Sequence, residues 1–137
     1  MRLLFIHDRV RIDNKLRGYI MDVKEITIQL KKDLEKLKYR FLTSAPPEDR
    51  KDRDYFQMVK EETAPVYQLI AQWEEDALSI VKERKANVHP NQVVSTRENM
   101  ELLLMHSFYM DTRKKRYMEL YRSILYVFDL LLEDIEQ

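Results

Sequence analysis

The sequence holds one glycine, Gly18, in 137 residues, and no cysteine. At the usual frequency of about 7%, roughly nine or ten glycines would be expected. Tight hairpins and phosphate-cradling loops use backbone conformations that glycine reaches without steric cost. A chain so poor in glycine has little room for β-hairpins, and the Walker and Rossmann phosphate loops are excluded. The missing cysteine excludes disulfides, thiolate zinc sites, iron–sulfur clusters and cysteine nucleophiles. An excess of charge of one sign is also missing: 24 Lys plus Arg balance 24 Asp plus Glu, for a formal net charge of zero. Dedicated nucleic-acid binders usually carry a basic excess, so the balance argues against that class while leaving room for a local patch. The N-terminal apolar run covers only residues 3–6. A secretory h-region needs about 7–15 apolar residues and a membrane span about 18 or more. The expectation is a cytoplasmic protein without a membrane segment.

What the chain does contain is 45% apolar and 35% charged residues, a globular composition of a length that suits one domain. Residues 1–13 show no sustained period and read as an N-terminal arm or tail, with residues 14–137 as the domain. Asn14 can cap a first helix. Leu16, Ile20, Val23, Leu30, Leu34, Leu37 and Phe41 then recur at helical spacings, forming one apolar stripe. Pro46 and Pro47 end it. A second helix is expected from Asp52 or Asp54, with Tyr55, Phe56 and Val59 on one side, then Val66, Leu69, Ile70, Trp73, Ala77, Ile80 and Val81 as its apolar stripe. Pro65 should kink or break that helix, because proline removes one hydrogen bond and crowds the preceding turn. A third helix should start at His89 or Pro90 and bury Val93, Met100, Leu103, Leu104 and Phe108.

The fourth stripe is Tyr117, Leu120, Tyr121, Ile124, Val127, Phe128, Leu131 and Ile135. Neither proline nor glycine separates it from the third. At about 100° per residue, the thirteen steps from Leu104 to Tyr117 would rotate one continuous stripe by roughly 220°. A turn at residues 110–112 restores the phase, with Asp111 or Thr112 as the cap of helix four. Four stripes with short connections specify an all-α, up-down-up-down four-helix bundle.

Motifs for chemistry are sparse. The residues three before His89 and His106 are Ala86 and Leu103, so the Glu-x-x-His pairs of di-iron bundles are missing. His89 reads as a cap and His106 as a structural, partly exposed imidazole. Glu98-x-x-Glu101 and Glu133-x-x-Glu136 have the spacing of magnesium-binding carboxylates, but such spacing is common on solvated helix faces. Glu74, Glu75 and Asp76 are expected to face water. No catalytic, cofactor-binding or metal-binding residue is assigned. The sharpest local feature is Arg113-Lys114-Lys115-Arg116, flanked by Tyr109, Tyr117, Tyr121 and Arg122. Cations in the first turn of a helix oppose its dipole. Salt bridges across the loop would offset that; otherwise the cluster is an anion site for phosphate, RNA or an acidic partner.

From Asp54 onward the chain resembles the YppE-like family of small bacterial proteins of unknown function. The resemblance rests on Asp54-Tyr55-Phe56 with Val59-Lys60, on Trp73 with Ala77-Leu78 and Ile80-Val81-Lys82, and on Val88-His89 and Gln92. It continues through Glu98-Asn99, Ser107-Phe108 and Lys114-Lys115-Arg116-Tyr117. It implies a single four-helix-bundle domain and no established activity or cofactor. It also draws attention to the shared polar positions His89, Asn99 and Lys114 to Arg116.

These readings converge on a non-enzymatic module that binds another macromolecule, most simply a protein. The candidate surface is His89, Asn99, Tyr109, Arg113, Lys114, Lys115, Arg116 and Tyr117. Self-association through residues 3–6 would make a homodimer. The alternatives are a metal-dependent hydrolase or small-ligand binder with a carboxylate-lined cavity, and RNA contact through the basic turn.

Overall fold

The computed structural model describes the backbone of residues 6–84 and 87–136, and the side chains of residues 23–83 and 87–136. Four helices follow one another: α1 (Ile6–Thr43), α2 (Arg53–Arg84), α3 (Pro90–Tyr109) and α4 (Lys114–Glu136). The stripes read from the sequence face inward. Leu30 and Leu34 of α1, Ile70 and Trp73 of α2, Met100 and Leu104 of α3, and Ile124 and Phe128 of α4 are all fully buried. These side chains close a single apolar core.

Backbones of α1 and α3 pack closely across the bundle, and each also packs against both α2 and α4. The α2 and α4 backbones stay apart and meet through long aromatic side chains instead. The Trp73 ring stands edge-on to Phe128, centroids 5.2 Å apart. At one end, Phe41 near the close of α1 stacks flat on Tyr117 of α4 at 3.9 Å. At that same end the Tyr55 hydroxyl of α2 donates to the Phe108 carbonyl of α3. The connections 44–52 and 110–113 therefore lie side by side. At the other end Asp134 of α4 accepts from Asn87 Nδ2 at 2.9 Å and from the Val88 N–H at 3.3 Å, tying down the turn before α3.

Capping explains where the helices start. Asp52 accepts from the backbone N–H groups of Asp54 and Tyr55, opening α2 at Arg53. His89 Nδ1 accepts from the Asn91 N–H at 3.1 Å, and Gln92 Oε1 accepts from the His89 N–H at 2.7 Å. This reciprocal pair, with Pro90 in the first turn, fixes the start of α3. The cap role read for His89 is the observed one.

Several expectations are corrected. Helix α1 begins at Ile6, eight residues before Asn14. No proline or glycine interrupts residues 6–13, so propagation adds one hydrogen bond per residue and continues. Residues 1–5 of the expected arm lie outside the described residues. Helix α2 runs unbroken through Pro65, so the expected break is absent, and Phe56 lies exposed, not on the side of Tyr55 and Val59 that packs on the core. Pro65 and Glu61 are both exposed, so the carbonyl that the proline leaves without an N–H partner sits on the solvent side of the helix. Flanking turns are held to the core by Val59 and Ile70. Neither Asp111 nor Thr112 precedes α4 directly; Arg113 does, and its carbonyl accepts from the Tyr117 N–H at 3.0 Å. Asp76 does not face water. It is 3% exposed and accepts from Gln72 Nε2 at 2.9 Å, because it lies three residues from Trp73 on the inner side of α2.

Candidate interaction site at the basic turn

Helix α3 ends in a left-handed residue, Met110 (φ 47°, ψ 42°), whose N–H donates to the His106 carbonyl at 2.8 Å. That geometry turns the chain sharply and presents Asp111 back toward α3. The Asp111 carboxylate then bridges two partners, His106 and Arg50. Oδ1 lies 2.6 Å from His106 Nδ1 and Oδ2 accepts from Arg50 Nη2 at 3.2 Å. Burial alone would push this carboxyl up, but the His106 and Arg50 hydrogen bonds and its own backbone N–H outweigh it and hold it below its ordinary value. Arg50 also lies over the Tyr109 ring, 5.5 Å from its centroid. Tyr109 in turn meets Tyr55 edge-on at 5.5 Å.

This arrangement commits the nearest acid elsewhere. Arg113, Lys114, Lys115 and Arg116 are all exposed, and among the described residues none of them forms an ion pair. Asp49 and Asp52, on the neighbouring connection, accept from backbone N–H groups. Salt bridging across the loop, the simple offset for the cluster, is therefore absent among the described residues. The first turn of α4 carries no acidic residue, so each cation there opposes the helix dipole at a cost of about 0.3–1 kcal/mol in low salt. The result is a concentrated positive charge at one end of a neutral molecule.

The eight sequence-predicted residues do not form one surface. His89 and Tyr109 stand at opposite ends of α3, about 30 Å apart for 20 residues at 1.5 Å each. Tyr117 is fully buried. Its ring lies on Phe41, and its hydroxyl is 2.6 Å from Ser107 Oγ. Burial pushes its phenol up to about 12, so it is a core group and no contact residue. Asn99 lies midway along α3 in an open groove of about 510 Å³, shared with Arg122 and Tyr126 of α4. What remains together is Tyr109 with residues 113–116. Arg50 joins them, and the sequence did not mark it because it sits in a connection that reads only as polar linker.

The carboxylate pairs weighed for magnesium do not converge. Glu101 is ion-paired with Arg97, which also holds Glu74 at 2.8 Å, while Glu133 and Glu136 lie exposed at the end of α4. Among the described residues no three His, Asp or Glu side chains gather as a metal site. No helix among them is long and apolar enough to cross a membrane.

A four-helix bundle with a bare basic turn is the class that fold and site define. The chain belongs to a family described as a bacterial domain of unknown function (DUF1798), whose profile matches residues 27–135. It is 29% identical over 83 residues to the uncharacterized protein YppE of Bacillus subtilis (strain 168), covering 60% of this chain and 68% of that protein. The crystal structure of YppE superposes with a TM-score of 0.74 at 26% identity, over 83% of this chain and 92% of the other. A Listeria innocua protein of unknown function shares the fold, with a TM-score of 0.74 at 19% identity over 87% and 94% of the two chains. The resemblance to the YppE-like family is thus matched by family, relative and fold.

Proposed function

We propose that this protein is a non-catalytic, cytoplasmic binding module that docks an acidic protein surface on the end of the bundle formed by residues 109–116 and Arg50. One observation carries the reading: four consecutive cations stay exposed at a helix start and form no ion pair among the described residues, while the adjacent acid, Asp111, is bound to Arg50 and His106. An arrangement that costs stability and is left uncompensated within the fold is supported by compensation from outside. Tyr109, partly buried and packed against Tyr55, supplies a rigid aromatic rim beside the charges.

Parallel affinity capture from the native cell extract with wild-type and Lys114→Glu/Lys115→Glu baits tests it. A protein retained by the first bait and lost from the second, with retention unchanged after ribonuclease treatment, is the expected result. Identical partners on both baits, or none on either, would overturn it. Loss on ribonuclease treatment would transfer the site to RNA.

A further inference from the structure

A groove of about 480 Å³ runs between α2 and α3 and shares no residue with the basic turn. Its size falls within the range of small-molecule sites, about 300–1,000 Å³. Phe56, Lys60, Ala64 and Gln68 follow one another at four-residue spacing on α2, and all four are exposed. Tyr67, and Met105 from α3, complete the walls and are only partly buried against the core. The lining is therefore open to an incoming molecule: the Phe56 side chain, the largest apolar group at the mouth, is 52% exposed.

One charge stands on this apolar surface. Lys60 is the sole charged residue among the described residues that line the groove. It forms no ion pair among the described residues. Its Nζ lies 5.7 Å from the centroid of the Phe56 ring, which places the charge at the Phe56 end. From Lys60 to Gln68 the groove continues for about 12 Å, eight residues at 1.5 Å each. Along that length Ala64, Tyr67 and Met105 present no charge.

These features select the occupant. Lys60 repels a cation, and a small inorganic anion would leave the apolar walls wet. An extended peptide would strand its amides, because helix backbones bond within themselves and the Thr63 hydroxyl already donates to the Val59 carbonyl at 2.7 Å. An alkyl chain has no amide to strand. We propose that the groove binds a medium-chain fatty acid. Its carboxylate meets the Lys60 ammonium, a compact charge on a flexible stem. Its chain starts beside Phe56 and runs along Ala64, Tyr67 and Met105 toward Gln68, taking their exposed apolar surface out of water.

The test is a ¹H–¹⁵N NMR titration of the whole chain with monomeric octanoate, decanoate and 1-octanol. Decanoate is expected to shift the amides of residues 56–68 and 102–106. It should bind more tightly than octanoate, by about two- to fourfold for each added methylene. Lys60→Glu, at an exposed position, should weaken decanoate at least about tenfold and leave 1-octanol unchanged. Phe56→Ser should weaken both. Lys114→Glu/Lys115→Glu should leave decanoate binding as it is. The proposal is overturned if decanoate shifts none of these amides at about 5 mM, above millimolar affinity. Decanoate binding that is unaffected by Lys60→Glu would overturn it. Shifts confined to residues 109–116 would put the carboxylate on the basic turn and overturn it as well.

Discussion

Trp73 donates its indole N–H to Thr27 Oγ1 at 3.0 Å, joining α2 to α1 inside the core. Thr27 passes its own proton back to the Val23 carbonyl at 2.6 Å, so its hydroxyl orients toward the helix backbone and its free lone pair toward the indole. Both residues are fully buried. The sequence presents Trp73 as plain apolar filling, yet its one polar atom is satisfied from a helix 46 residues away.

Thr27→Val keeps the shape and removes the acceptor. The buried indole N–H is then left unsatisfied, at a cost of about 1–3 kcal/mol. Urea unfolding should show a lower midpoint with an unchanged slope. In a Trp73→Phe background the same substitution should cost much less, because no N–H remains to strand. Equal losses in both backgrounds would mean that the hydrogen bond contributes nothing.

Asp111 sets an acid-side dependence. Its folded carboxyl is held below the ordinary value of 3.8, with hydrogen bonds from His106 and Arg50 outweighing the opposing effect of burial. A depressed carboxyl contributes stability that is fully present above the unfolded value and lost as pH falls through the folded one. Wild type should therefore lose stability relative to Asp111→Asn below about pH 4. Stability curves of the two proteins that run parallel from neutral pH to pH 2 would contradict the assignment.

Pro65 offers a gain. Proline inside a helix is about 3 kcal/mol less favourable than alanine, and α2 passes through Pro65 without interruption. Pro65→Ala restores the hydrogen bond to the exposed Glu61 carbonyl and should raise stability by roughly 1–3 kcal/mol. A loss in thermal or urea unfolding would show that the proline ring is required for the packing of α2.

The four helices were legible because their apolar stripes are long and separately phased. Trp73, Leu104, Ile124 and Phe128 all occupy the core that the spacing assigns them. Acidic clusters were read less well. Glu74, Glu75 and Asp76 are neighbours in sequence but point about 100° apart on a helix. Asp76 turns inward, Glu74 pairs with Arg97 and Glu75 is exposed. Spacing from Trp73 could have revealed the first of these. Tyr117 was misplaced by the opposite error: it belongs to the fourth stripe, yet its adjacency to the cations made it look like a contact residue. The commitment of Asp111 to Arg50 was not legible, because it joins two connections 61 residues apart.

The basic turn is most directly tested by the unfolding free energy of Lys114→Glu/Lys115→Glu at low salt. If the cations serve no internal partner, reversing two of them removes repulsion with the α4 dipole and adds attraction to it. The expected result is a gain of roughly 1–2 kcal/mol, shrinking as salt is raised. A loss of stability would show that Lys114 and Lys115 hold the fold together, and would contradict their role as a surface kept bare for an acidic partner.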